Sequence, residues 1–175
     1  MRRVRKDERA GGGGWERIVV GVVSNTDDRV ASILTDLGLK VGDPGLVAGS
    51  DRSIEERLRA RRRGVENDVD FVLTSYEAGR EKPDRRIFDV ARKRAEEVVL
   101  VNGEEEERLE WRCMHVGDDY ERDYMGAVGA GWDAYLLPRD GDHLALESVR
   151  EKYGDSVKQI RSLPDLLSKL GIEAP

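Results

Sequence analysis

The chain has 175 residues, of which 38% are charged and 38% hydrophobic, and it carries a formal net charge of −6. That length suffices for one domain of ordinary size with a real core, and the acidic balance argues against a general nucleic-acid binder. The single cysteine, Cys113, excludes an internal disulfide, suits a reducing compartment and reads as a small buried hydrophobe.

Residues 1–16 are basic and then glycine-rich, with four consecutive glycines from Gly11 to Gly14. Such a run nucleates neither helix nor strand cheaply, and it predicts a disordered tail ahead of a domain over 17–175. No apolar segment follows the basic Met1–Lys6 start, so it does not read as a secretory signal. No apolar run in the chain approaches the roughly 20 residues of a membrane span. These features predict a soluble intracellular protein, cytoplasmic or nuclear, with no membrane partner.

The β-branched run Ile18–Asn25 predicts a strand buried on both faces, hence interior and parallel. Ser24-Asn25-Thr26-Asp27 forms a helix-capping cluster. Val30, Ile33, Leu34 and Leu37 then recur with helical spacing up to Gly38. Residues 43–67 read as an insertion in which Ile54–Arg63 forms a short exposed helix. The Arg57–Arg63 run reads as a solvated face in preference to a localisation or nucleic-acid patch, because Glu55 and Glu56 lie within pairing distance. Asp70–Ser75 predicts the second strand, Tyr76–Pro83 a loop, and Ile87, Phe88, Val90, Ala91 and Ala95 the helix after it. Residues 98–112 read as irregular, with an acidic insertion over 101–112. Met114-His115-Val116 predicts a third strand, followed by a helix from Asp123 to Ala130, a strand over Asp133–Pro138 and helical residues 143–153. A closing helix carries Ile160, Leu163, Leu166, Leu167 and Leu170. Strands alternating with helices imply an α/β fold with a doubly wound, mostly parallel, Rossmann-like sheet.

Three of these strand ends carry polar groups: Ser24-Asn25, the loop bearing Lys82-Pro83, and Gly117-Asp118-Asp119 with Asp123 following. In a doubly wound sheet such tips gather at one edge. A hydroxyl donor, an ammonium and paired carboxylates suit a phosphoryl group with a divalent cation. Singly, Ser24 reads equally as a helix cap, Lys82 as a surface lysine, and Asp118 and Asp119 as charges favouring a helix N-terminus. Their joint placement favours a site. His115, inside the third strand, reads as a packed core residue.

Val22–Asp27, then Glu81-Lys82-Pro83-Asp84-Arg85-Arg86-Ile87-Phe88, then His115–Asp119 through Asp123 resemble motifs two, three and four of the haloacid dehalogenase-like hydrolases. The resemblance covers about residues 17–138, and Phe71–Ser75 fits one subgroup of that family well. It implies that Ser24 and Asn25 bind the phosphoryl group and that Lys82 steadies it. It implies further that Asp118 ligates Mg²⁺ with Asp123 in support and Asp119 as an additional candidate, and that the substrate is a phosphorylated small molecule.

The family's first motif, an apolar strand ending in Asp-x-Asp, has no counterpart before Ser24. Asp68-Val69-Asp70 fits the spacing, but its apolar strand comes after the acids and so would not deliver them at its tip. The expectation is therefore an incomplete core lacking its central strand, such as a truncated product would have. Such a core has either a gap of about 10 Å between flanking strands or a closed-up sheet. It is expected to lack turnover because the nucleophilic aspartate is absent, to bind Mg²⁺ weakly or not at all, and to be liable to self-association at exposed sheet edges. A non-catalytic phosphate- or partner-binding module, or a protein-interaction protein, is the alternative.

Overall fold

The computed structural model describes residues 18–42, 67–100, 110–139 and 150–172. The tail at 1–16, the Arg57–Arg63 segment, the acidic run 101–109 and residues 143–149 lie outside the described residues. Two compact units are present, residues 1–81 with 86–110, and residues 82–85 with 111–175.

In the first unit, β1 (Gly21–Ser24) pairs in parallel with β2 (Phe71–Thr74), Gly21 opposite Phe71 and Ser24 opposite Thr74. All four residues of β2 are buried. Strand β1 departs from the expected burial on both faces: Gly21 is exposed and Val22, Val23 and Ser24 are half-buried. It is also shorter than the β-branched run, because Val20 is drawn into a different set of bonds. Its N–H donates to the Asp70 carboxylate at 2.9 Å, and the Asp70 N–H donates to its carbonyl at 2.7 Å. Asp68 repeats the arrangement with Lys40: its carboxylate accepts the Lys40 N–H at 2.8 Å, and its own N–H donates to the Lys40 carbonyl at 2.9 Å. The acids of Asp68-Val69-Asp70 thus clasp backbone at the N-terminal end of β2. That is the wrong end of a parallel strand for a nucleophile.

Helix α1 (Val30–Asp36) forms where the apolar spacing places it, but none of its residues is buried, and Ile33 and Leu37 are 52% and 73% exposed. Helical spacing sets the periodicity of a segment without supplying the surface that covers it. The stretch after β2, expected as loop, opens with a single helical turn, α2 (Ser75–Ala78). Thr74 and Glu77 make a reciprocal capping box: the Thr74 hydroxyl accepts the Glu77 N–H at 3.2 Å, and the Glu77 carboxylate accepts the Thr74 N–H at 3.1 Å. Ser75 donates from its hydroxyl to the Thr26 carbonyl at 3.2 Å, fastening the loop after β1 to the start of α2. Helix α3 (Arg85–Leu100) is longer than expected and absorbs Val98 and Val99, read from sequence as irregular. Ile87, Phe88, Ala91, Val98 and Val99 are all buried, so one apolar stripe runs nearly its full length.

In the second unit, β3 (Met114–Gly117) pairs in parallel with β4 (Asp133–Leu136). Residues 158–160 run beside β4, with the Leu136 N–H donating to the Lys158 carbonyl at 2.9 Å and the Ile160 N–H to the Leu136 carbonyl at 3.0 Å. Ile160 is therefore buried beside a strand and not in the closing helix, which is confined to α5 (Asp165–Lys169). Pro164 marks the change, since proline has no N–H to continue a preceding helical turn but suits the start of one.

Between β3 and β4 the chain makes a wide turn of π-helix (Tyr120–Met125) and then α4 (Gly126–Gly129). The expected α-helix from Asp123 thus begins earlier and wider. Asp119 caps it by accepting the Arg122 N–H at 2.8 Å, and its carbonyl takes the N–H groups of both Asp123 (2.9 Å) and Tyr124 (3.2 Å). Tyr120 stacks on Tyr153 with ring centroids 3.6 Å apart.

The α/β class and the parallel pairing agree with the sequence reading. An incomplete Rossmann-like sheet agrees with it as well: among the described residues the strands pair two by two, β1 with β2 and β3 with β4. Among the described residues no helix is long and apolar enough to cross a membrane.

If the Asp70 clasp anchors the entry to β1, Asp70→Ala should cost about 1–3 kcal/mol by stranding the Val20 N–H. Urea unfolding should show a lower midpoint at unchanged slope.

Candidate functional site

The chemistry gathers in the second unit, at the C-terminal tip of β3. Gly117 ends the strand, and a β-carbon built on it would overlap the carboxyl group of Asp123. The missing side chain opens the slot that Asp123 fills from the π-helical turn one loop later. Asp123 is buried, 5% exposed, and so is Lys82, at 9%. The Lys82 ammonium donates to Asp123 Oδ1 at 2.6 Å. His115 Nε2 lies 3.0 Å from the same oxygen, and the Asp119 N–H donates to Oδ2 at 3.0 Å.

Burial alone would push the Asp123 carboxyl up. The hydrogen bonds from His115, Lys82 and the Asp119 backbone, with the lysine's charge, outweigh it and hold the group well below the ordinary carboxylate range. A buried ion deprived of its partner costs several kcal/mol, so the two charges are stable there only together.

The candidates from sequence fall into three places. Lys82 and Asp123 meet, joined by His115. Asp118 and Asp119 sit at the same tip but face other partners: Asp118 Oδ2 accepts from Nε of the exposed Arg139, and Asp119 Oδ1 serves as the helix cap. Ser24 and Asn25 belong to the first unit, at the tip of β1, where Ser24 Oγ accepts the Thr26 hydroxyl at 3.1 Å. Sequence reasoning missed His115 as a member of the cluster and Arg139 as the partner of Asp118. The available signal for His115 was its place two residues before Gly117, on the same face of the strand.

A divalent cation would need carboxylate oxygens open to it. Asp123 has one oxygen shared between an ammonium and an imidazole and the other engaged by a backbone N–H. Among the described residues no three His, Cys, Asp or Glu side chains are grouped so as to hold a metal ion. Asp118 Oδ2 is engaged by Arg139 and Asp119 Oδ1 by the Arg122 N–H.

No family model matches the chain. An uncharacterized hydrolase of Schizosaccharomyces pombe is 30% identical over 118 residues, 67% of this chain and 38% of that protein. The haloacid dehalogenase-like hydrolase domain-containing protein 3 of Bos taurus is 35% identical over 129 residues, 74% of this chain and 43% of that protein. Its counterpart in Danio rerio is 32% identical over 147 residues, 83% of this chain and 52% of that protein. The chain thus spans about half or less of the length of these curated relatives. Among solved structures, the HAD-hydrolase YfnB of Bacillus subtilis, bound to magnesium, is 18% identical over 83% of this chain and 55% of its own, with a TM-score of 0.41. A HAD phosphatase from Thermococcus onnurineus is 25% identical over 85% of this chain and 59% of its own, with a TM-score of 0.40. Those scores are too low for positional comparison.

The chain belongs to the haloacid dehalogenase superfamily of hydrolases. Within it, the similarity runs to the haloacid dehalogenase-like hydrolase domain-containing protein 3 group.

Two outcomes follow from the slot and its occupant. Gly117→Ala should cost at least about 1–3 kcal/mol, because the added methyl meets a carboxyl group held by three donors, and chemical denaturation measures it. The contribution of Asp123, whose carboxyl is lowered from 3.8 on folding, is complete above that value and is lost as pH falls toward the folded-state one. Wild-type stability should therefore fall steeply below about pH 4, and Asp123→Asn, less stable at neutral pH by about 3 kcal/mol, should show a flatter profile there.

Proposed function

We propose that this chain is part of a phosphatase-type hydrolase core, and that by itself it binds a phosphoryl group without turning it over. The observation that carries the reading is the buried Lys82–Asp123 pair at the tip of β3. A lysine held by a carboxylate is fixed in place, and an ammonium is a suitable donor to phosphoryl oxygens. The names of the sequence relatives support the hydrolase class.

In this reading Lys82 donates to the phosphoryl oxygens, and Asp123 holds Lys82. Ser24 and Asn25 are assigned as further phosphoryl hydrogen-bond partners on the resemblance alone. The absence of turnover is inferred from the nucleophile. Among the described residues no strand ends in Asp-x-Asp, and the acids of Asp68-Val69-Asp70 are committed to the backbone of Val20 and Lys40. Mg²⁺ is assigned weak binding or none in this chain, given the engaged oxygens of Asp123 and the Asp118–Arg139 pair.

Inorganic phosphate binding followed by ³¹P NMR, beside a p-nitrophenyl phosphate assay with and without Mg²⁺, tests this. Phosphate should bind, Lys82→Met should weaken it by roughly tenfold or more, and no product should form. Turnover abolished by Asp118→Ala would overturn the claim of inactivity. Absence of both binding and turnover would favour a protein-interaction role.

A further inference from the structure

We propose that His115 is a positioning residue, which fixes the rotation of the Asp123 carboxylate and, through it, the place of the Lys82 ammonium. This rests on the reading of Lys82 as the phosphoryl-binding group.

The geometry carries it. His115 and Gly117 lie two residues apart on β3 and so share one face of the strand. Gly117 opens the slot for the Asp123 carboxyl, and the His115 ring lies against it, with Nε2 3.0 Å from Oδ1. Oδ1 is also the oxygen that holds Lys82, at 2.6 Å. The His115 side chain is 10% exposed, so its ring is enclosed. Without this contact the carboxylate would keep two donors, a backbone N–H on Oδ2 and an ammonium on Oδ1. The ammonium rides on a flexible four-carbon stem with rotatable protons and follows the oxygen wherever it turns. An imidazole is a rigid ring on two torsions, and with the proton on Nε2 it donates along one direction. The Asp119 N–H pins Oδ2, and of the two side chains on Oδ1 the histidine is the stiff one and is carried on a strand. It therefore sets where Oδ1 points, and Lys82 adjusts to it.

The test uses the full chain, with His115→Phe removing the donor while keeping a ring, and His115→Gln returning an N–H donor at comparable reach. In the wild type, ¹⁵N NMR of the imidazole should place the proton on Nε2; an unprotonated Nε2 overturns the proposal whatever the variants do. The ammonium protons of Lys82 should exchange with water roughly tenfold faster in His115→Phe, and His115→Gln should restore most of the protection. Phosphate affinity should follow the same order. A loss of thermal stability alone, with Gln behaving no better than Phe, would reduce His115 to packing and overturn the proposal. So would wild-type exchange at Lys82 in His115→Phe. If the wild type binds no phosphate, the phosphoryl reading falls, and the exchange comparison still decides the role of His115. If phosphate binds and exchange ignores His115, the positioning role falls and the phosphoryl reading stands.

Discussion

An ammonium and a carboxylate taken out of water together set the terms for everything at the tip of β3. Neither Lys82 nor Asp123 could be buried alone at tolerable cost. Their pairing requires a loop, a strand end and a turn to converge within hydrogen-bond distance, 2.6 Å for the central contact. The surrounding features serve that convergence. Gly117 yields the volume, the wide turn from Tyr120 brings Asp123 back toward the strand, and Asp119 contributes twice, with its side chain to the turn and its N–H to Asp123.

The first unit is governed by backbone satisfaction. Four parallel residue pairs make a short ladder, and its N-terminal end is closed by two acidic side chains that bond to main chain in place of further strand. At the C-terminal end the last β2 residue, Thr74, turns directly into a capped helical turn. Carboxylates that look catalytic by spacing are here occupied with backbone N–H groups, the part-buried one of Val20 and the exposed one of Lys40.

The α/β alternation was legible because β-branched runs and helical spacing are local properties, and both survive into the structure at β1, β2, α3 and β3. What escaped depended on partners distant in sequence. The burial of β1 was overestimated because hydrophobic composition does not reveal what lies against each face. Ile160 was assigned to a helix by its spacing to Leu163, although its neighbour in space is Leu136. Helix α2 was missed although Thr-x-x-Glu at 74–77 carries the capping-box pattern in plain sight. At the site, Lys82 and Asp123 stood out as polar groups beside predicted strand ends, but nothing local says that a lysine and an acid 41 positions apart share a bond. His115 was hidden for a related reason: inside a strand, a histidine packed for bulk and one packed for its nitrogen have the same sequence signature.

The neutrality of the buried pair governs how an anion would experience it. One positive and one negative charge in contact present a dipole, whose field decays faster with distance than that of a lone ammonium and depends on the direction of approach. The chain as a whole carries −6 and repels anions at long range. Capture at this tip would therefore owe little to steering from afar. It would rest on contact made after arrival, and its encounter rate would rise, not fall, as added salt screens the acidic surface.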